Sequence, residues 1–232
     1  MKNIKAVLFD LVGTLIYVKD PVGYVYSSVA SSFGFKTDYK KLEEAFIEVM
    51  SKKSTPHGGE TEERKWWKEI VSEVFSSCGY DLKDKFDLIF EALFKEFTRK
   101  SAWAVYPEVV PALEKLSVWG YCNNPIQIGL ISNFDSRLEI ILKELDLYKY
   151  FNCLAYSGKV GFSKPDYKIF QYALKELNVL PEESIYIGDS LKIDYEPAME
   201  LGIETLLIDR ENHYTGKGIN SILNLEEIFF YL

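Results

Sequence analysis

Cysteine is scarce in this chain. There are three in 232 residues, Cys78, Cys122 and Cys153, and they are far apart. They form neither a metal-ligand spacing nor an even disulfide framework, so reduced thiols in a cytoplasmic setting are the simplest reading. Long apolar runs are missing too. None reaches the roughly 18 residues a membrane span needs, and residues 1–10 are too short and interrupted for a signal peptide. There is no Lys/Arg-rich tract, and 35 acidic residues outnumber 27 basic ones for a net charge of −8. That balance excludes a phosphate-backbone grip on nucleic acid and a polybasic membrane anchor. Internal repeats and low-complexity tracts are also absent.

What is present is an ordinary globular composition, 47% hydrophobic and 27% charged, with aromatics high at 15%. The chain is long for one simple domain and short for two, which fits a core domain with a smaller inserted module. Five short apolar runs, 6–9, 126–131, 153–155, 185–187 and 205–208, read as buried strands. Most lack polar alternation, as expected where helices cover both faces of a sheet. Helical stripes lie between them: Val109, Val110, Leu113 and Leu116; Leu138, Ile141, Leu142 and Leu145; Ile169, Phe170, Ala173, Leu174 and Leu177. A short helix at 196–201 stops at Gly202. Strand alternating with helix predicts an α/β fold with a doubly wound, mainly parallel sheet, whose ligands bind beyond the carboxyl ends of the strands.

Residues 20–99 break this rhythm. Leu42, Ala45, Phe46 and Val49 make one stripe. Trp66, Trp67, Ile70, Val71, Val74 and Phe75 make a second, and Phe86, Ile89, Phe90, Leu93, Phe94 and Phe97 a third. They predict an all-helical insertion with an internal loop at 51–60. The division expected is a core of residues 1–15 and 103–232 and a helical module of residues 16–102.

Four polar clusters fall at strand ends. AVLFDLVGTL ends its strand on Asp10, with Gly13 allowing a sharp turn. GLISNFDSRL puts Ser132 and Asn133 before a helix, where backbone N–H groups favour an anion. GFSKPDYKIF places Lys164 at a helix start, against the local dipole preference, as a residue serving an anion would be. SIYIGDSLKID ends in Gly188-Asp189 with Asp194 five residues on, oxygen ligands suited to Mg²⁺. Each cluster alone reads as turn capping or a solvated charge. Their joint order supplies a carboxylate nucleophile, oxyanion donors and a metal loop, the parts phosphoryl transfer requires.

These motifs resemble the four signature motifs of the haloacid-dehalogenase-like hydrolase superfamily, over residues 1–15 and about 103–210. ISNFDSRL, SKPDYKIF and IGDSLKIDY are most similar to its rhythmically-expressed-gene-like branch, with a helical cap after the first motif. The resemblance implies a Rossmann-like core and a Mg²⁺-dependent hydrolase. Asp10 would form an aspartyl-phosphate, and Ser132, Asn133 and Lys164 would grip the phosphoryl group. Asp10, Asp189 and the Val12 carbonyl would bind Mg²⁺, with Asp194 supporting the metal loop, and Thr14 would orient the first loop by hydrogen bonding.

The pattern departs at Val12, where phosphatases of this family carry a second Asp. That group protonates the leaving oxygen and is worth on the order of 10²–10⁴-fold, or about 3–5 kcal/mol. Valine has no proton to give. A phosphatase preferring aryl or acyl phosphates follows, unless the substrate or a cap residue (His57, Glu60 or Glu62) supplies the proton. A 2-haloacid dehalogenase also lacks that Asp, but generally lacks the acidic loop as well. Phosphonate-cleaving relatives use a cap lysine, for which Lys52 and Lys53 are candidates. A non-catalytic module binding a phosphorylated ligand is the remaining alternative. The expected partner is a small phosphorylated, or else halogenated, substrate. Trp66 and Trp67 read as module core, with one ring turned away from it. His213 reads as exposed. The sequence leaves the substrate and the oligomeric state open.

Overall fold

A computed structural model describes residues 3–53, 60–119, 125–214 and 216–232. His57, Cys122, most of the expected loop 51–60 and the side chain of Glu60 lie outside the described residues. The chain divides into two compact units, Met1–Tyr17 with Val105–Leu232, and Val18–Ala104.

The first unit is built on a six-stranded parallel sheet. Its strands are β1 (Ala6–Phe9), β4 (Gln127–Ser132), β5 (Cys153–Tyr156), β6 (Ser184–Gly188), β7 (Glu204–Ile208) and β8 (Ser221–Ile222). β2 (Ile16–Val18) and β3 (Trp103–Val105) pair separately as a two-stranded ribbon. The large sheet runs β5-β4-β1-β6-β7-β8. β1 lies at its centre, with Phe9 level with Leu130 on one side and Ile187 on the other. Every side chain of β1 is fully buried, which is why AVLF is a continuous apolar run. Burying Val, Leu and Phe side chains stabilises by about 1.5–3 kcal/mol each.

Helices connect the strands. They are α5 (Val109–Ser117), α6 (Leu138–Glu144), the short α7 (Ser157–Val160), α8 (Tyr167–Leu177) and α9 (Glu196–Glu200). Pro111 sits in the first turn of α5, where no N–H partner is lost. Asp166 caps α8 by accepting from the Lys168 N–H, and Asn178 ends it in the left-handed region. The apolar face of α8, Ile169, Phe170, Ala173, Leu174 and Leu177, packs in one cluster with Leu8, Ile131 and Tyr186. From β1 the chain order runs outward through β4 and β5, then returns to β6 on the other side of β1. That reversal is where a doubly wound sheet opens a ligand crevice at its carboxyl edge.

The second unit is helical, with α1 (Val22–Ser32), α2 (Tyr39–Lys52), α3 (Glu60–Ser77) and α4 (Phe86–Glu96). The three stripes read from the sequence are α2, α3 and α4. α1 has no such stripe, because its buried face includes Gly23 and Ala30 beside Tyr26. A β-carbon on Gly23 would lie 2.3 Å from the Glu43 amide nitrogen, so the glycine lets α1 and α2 approach backbone to backbone. Tyr26 stacks on Phe75 with centroids 5.7 Å apart. Trp66 and Trp67 are both half-buried against this core, edge to face at 4.8 Å. Lys52 pairs with Glu48 at 2.6 Å and Lys53 with Glu73 at 2.9 Å. Among the described residues no helix is long and apolar enough to cross a membrane.

Candidate active site

The carboxyl ends of β1, β4 and β6 and the segment between α7 and α8 bring the four sequence clusters together. Asp10 follows β1 directly, and its backbone N–H donates to the Ile187 carbonyl at 2.8 Å. Its side chain is 8% exposed. The next residues turn sharply: Gly13 has φ +90°, and its N–H donates to the Ile16 carbonyl at 2.8 Å. A β-carbon on Gly13 would fall 2.1 Å from Asp189 Oδ2, so the turn and the acidic loop fit only without a side chain there.

Lys164 is the hub. Its ammonium donates to Asp10 Oδ1 at 2.6 Å, Asp194 Oδ1 at 2.6 Å and the Tyr186 hydroxyl at 3.1 Å. The Tyr186 hydroxyl in turn donates to Asp194 Oδ1 at 2.6 Å. Asp194 Oδ2 accepts from the Ser190 N–H at 3.0 Å, across a π-helical turn, Leu191–Tyr195. Both oxygens of Asp194 are thus engaged within the protein, whereas Asp189 is exposed. The backbone of Lys164 is held by Asn133, whose Oδ1 accepts from the Lys164 N–H at 2.6 Å and whose Nδ2 donates to the Lys164 carbonyl at 2.8 Å. One Asn133 N–H is left over. Ser132 is buried at the end of β4 and makes no side-chain hydrogen bond among the described residues.

Burial sets the electrostatics. Burial, opposed by Lys164 and reinforced by Asp194 and Asp189, raises the Asp10 carboxyl to about 7. For Lys164 burial acts downward, but Asp10 and Asp194 outweigh it and hold the ammonium above its ordinary value. Asp189 is solvent-accessible yet crowded, and its pKa is raised first by desolvation and then by Asp194. Oxygens of Asp10, Asp189 and Asp194 lie within 4.8 Å of one another. Three carboxylates face one ammonium, an excess of negative charge that a divalent cation would cancel, and an all-oxygen donor set suits a hard ion such as Mg²⁺.

Two site features differ from the sequence reading. The Thr14 hydroxyl, expected to orient the first loop, is buried without a hydrogen-bond partner among the described residues. The Thr14 carbonyl holds the loop instead, accepting from Arg210 Nη2 at 2.8 Å. Arg210 also pairs with Glu108 at 2.5 Å and stacks over Tyr106 at 3.6 Å. Neither Arg210 nor Tyr186 stands out in the sequence. A lone Arg after a strand carries no signal, and a Tyr inside an apolar run reads as core. Asp135 and Arg137 also lie in the second cluster, and their pairing leaves no mark in its pattern. The pair is a buried bidentate clasp at 2.8 and 2.5 Å beside Asn133.

A parallel sheet with a reversal at its centre and a carboxylate–lysine–carboxylate cluster on its carboxyl edge define a doubly wound α/β protein with a polar site at its strand ends. The haloacid dehalogenase-like hydrolase family matches residues 4–202, and the chain belongs to that family. It is 29% identical over 211 residues to haloacid dehalogenase-like hydrolase domain-containing protein 3 of Homo sapiens, covering 89% of this chain and 82% of that one. It is 26% identical over 241 residues to the rhythmically expressed gene 2 protein of Drosophila melanogaster, covering 99% and 92%. The crystal structure of a HAD phosphatase from Thermococcus onnurineus superposes with TM-score 0.68 at 25% identity, covering 98% of this chain and 97% of that one.

Proposed function

We propose that the chain is a Mg²⁺-dependent phosphatase of this family, acting through an aspartyl-phosphate on Asp10. The observation that carries the reading is Asp10 Oδ1 held 2.6 Å from Lys164 inside a three-carboxylate cluster. A nucleophile needs one oxygen fixed and one free, and Asp10 Oδ2 has no partner in the chain among the described residues. That oxygen attacks phosphorus, a new O–P bond forms, and the bond to the leaving oxygen breaks with its electron pair departing on the leaving group.

The roles of the other residues follow from their geometry. Lys164 and the Ser132 hydroxyl hold phosphoryl oxygens, and the remaining Asn133 N–H adds a third donor. Mg²⁺, held by Asp10, Asp189 and the Val12 carbonyl with Asp194 bracing the loop, would supply charge neutralisation at the phosphoryl group. Val12 gives the leaving group no proton, so substrates whose leaving group departs as a stable anion, aryl or acyl phosphates, are favoured. Lys52 and Lys53 each sit on a carboxylate that raises their pKa, the opposite of what a Schiff-base lysine requires.

Val12 alone favours a second reading, a 2-haloacid dehalogenase, and the acidic cluster speaks against it. Hydrolysis of p-nitrophenyl phosphate and of 2-chloropropionate, each with Mg²⁺ and with chelator, separates the two. Phosphate release that needs Mg²⁺ and disappears in Asp10→Asn is expected. Chloride release indifferent to chelator would overturn the phosphatase reading, and phosphate binding without turnover of either substrate would leave a non-catalytic binding module.

A further inference from the structure

An ammonium has three N–H donors. In Lys164 all three have protein acceptors: Asp10 Oδ1, Asp194 Oδ1 and the Tyr186 hydroxyl. The first two alone would leave the group free to rock about the line joining them. The third contact removes that freedom, because Tyr186 is itself packed and hydrogen-bonded. Its ring is fully buried in β6, packed edge to face on Phe170 at 5.2 Å, and its hydroxyl is tied to Asp194 Oδ1 at 2.6 Å. Lys164, Asp194 and Tyr186 therefore close a three-membered ring of hydrogen bonds, with Asp10 the one contact outside it.

We propose that Tyr186 is a positioning residue, whose hydroxyl takes the third Lys164 N–H and so keeps the ammonium aimed at Asp10. The kinetic part rests on the phosphatase reading; the geometric part does not. The Tyr186 hydroxyl accepts from Lys164 and donates to Asp194, and losing such contacts to charged groups has an effect of at least about tenfold. Charge is unchanged by Tyr186→Phe, so a loss reports orientation.

The test has two arms. In ¹H–¹⁵N spectra of ammonium groups near neutral pH, wild-type protein should show a slowly exchanging lysine signal that vanishes in Lys164→Arg, with a cross-peak to a protected tyrosine hydroxyl proton. Absence of that cross-peak overturns the proposal without any variant. Tyr186→Phe should lose the slow signal while melting within a few degrees of wild type. Phe170→Leu, which disturbs the packing but keeps the hydroxyl, should retain the signal. In the second arm, kcat for p-nitrophenyl phosphate with Mg²⁺ should fall about tenfold in Tyr186→Phe, with KM within about twofold. An unchanged signal and kcat in Tyr186→Phe, or equal losses in both variants, overturns the proposal. If wild type releases no phosphate, the phosphatase reading fails and the spectra alone decide the role of Tyr186.

Discussion

Gly13 and Asp189 are 176 residues apart in sequence, yet a β-carbon on the glycine would lie 2.1 Å from the carboxylate. The backbone there is left-handed, at φ +90°. Gly13→Ala thus meets two costs, about 1–2 kcal/mol of backbone strain and a displaced Asp189. Chemical denaturation should show a modest stability loss, while Mg²⁺-dependent activity should fall by more than 10²-fold, as misplacement by about 1 Å does. Activity within tenfold of wild type would mean that Asp189 is not held in place by this turn.

Val12→Asp should restore the missing proton donor. Val12 is 37% exposed, so a carboxylate there is tolerated without burial. Turnover of alkyl phosphates should rise by on the order of 10²-fold, and turnover of p-nitrophenyl phosphate much less. An unchanged alkyl-to-aryl rate ratio would show that another group already protonates the leaving oxygen.

Metal dependence should vary with pH. The Asp10 pKa is raised from 3.8 to about 7, chiefly by burial. A carboxyl raised on folding binds its proton more tightly in the native state. Its contribution to stability is full below about pH 4 and is lost as pH rises towards 7. Asp189 shifts in the same direction. Metal-free protein should therefore lose stability between pH 4 and 7 on account of this site, and Asp10→Asn should flatten the loss. Mg²⁺ favours the ionised cluster, so it should raise the melting temperature more at pH 8 than at pH 5. An equal Mg²⁺ shift at both pH values would count against a carboxylate metal site.

Lys164→Met removes the cation that the buried carboxylates share. Taking one partner from a buried ion pair costs about 3–5 kcal/mol. The double variant Lys164→Met with Asp10→Asn should recover part of this in urea unfolding, since it also removes a stranded charge. Additive losses would mean that the two residues do not interact.

Cys153 tests the packing of the edge strand β5. Burial pushes its thiol up to about 11 from 9.0. Iodoacetamide at pH 8 should leave Cys153 unmodified in native protein and label it on denaturation, as read by peptide mapping. The folded pKa being the higher, the stability this group contributes is present below pH 9 and is lost as pH climbs towards 11. Fast native labelling would contradict a closed β5.

The sheet was legible because parallel strands covered on both faces leave uninterrupted apolar runs, and β1, β4, β6 and β7 are such runs to within a residue or two. β8 has two residues and β2 and β3 three each, too few to show a pattern. α1 escaped because Gly23 makes the helix contact by having no side chain. At the site, Asp10 and Asp189 were visible as polar residues ending apolar strands, Asp194 as a second acid on the loop after Asp189, and Lys164 as a cation at a helix start. Tyr186 lies inside its strand, and Arg210 acts on a backbone carbonyl, which leaves no trace at Thr14. Asn133 was read as a phosphoryl donor, but most of its amide is spent on the Lys164 backbone, a partnership 31 residues away that no local pattern records.

The central position of β1 also bears on how the chain is made. Its partners, β4 and β6, are translated more than a hundred residues later, so on the ribosome the segment AVLF waits roughly ten to thirty seconds for β6, at about 5–20 residues per second. During that wait it is an unpaired apolar strand with both edges open, the kind of segment that seeds aggregation. Lys5 and Asp10 flank it directly, a charge at each end. The residue we assign as nucleophile would on this view serve the nascent chain first, as a gatekeeper, long before the lysine that completes the site has been synthesised.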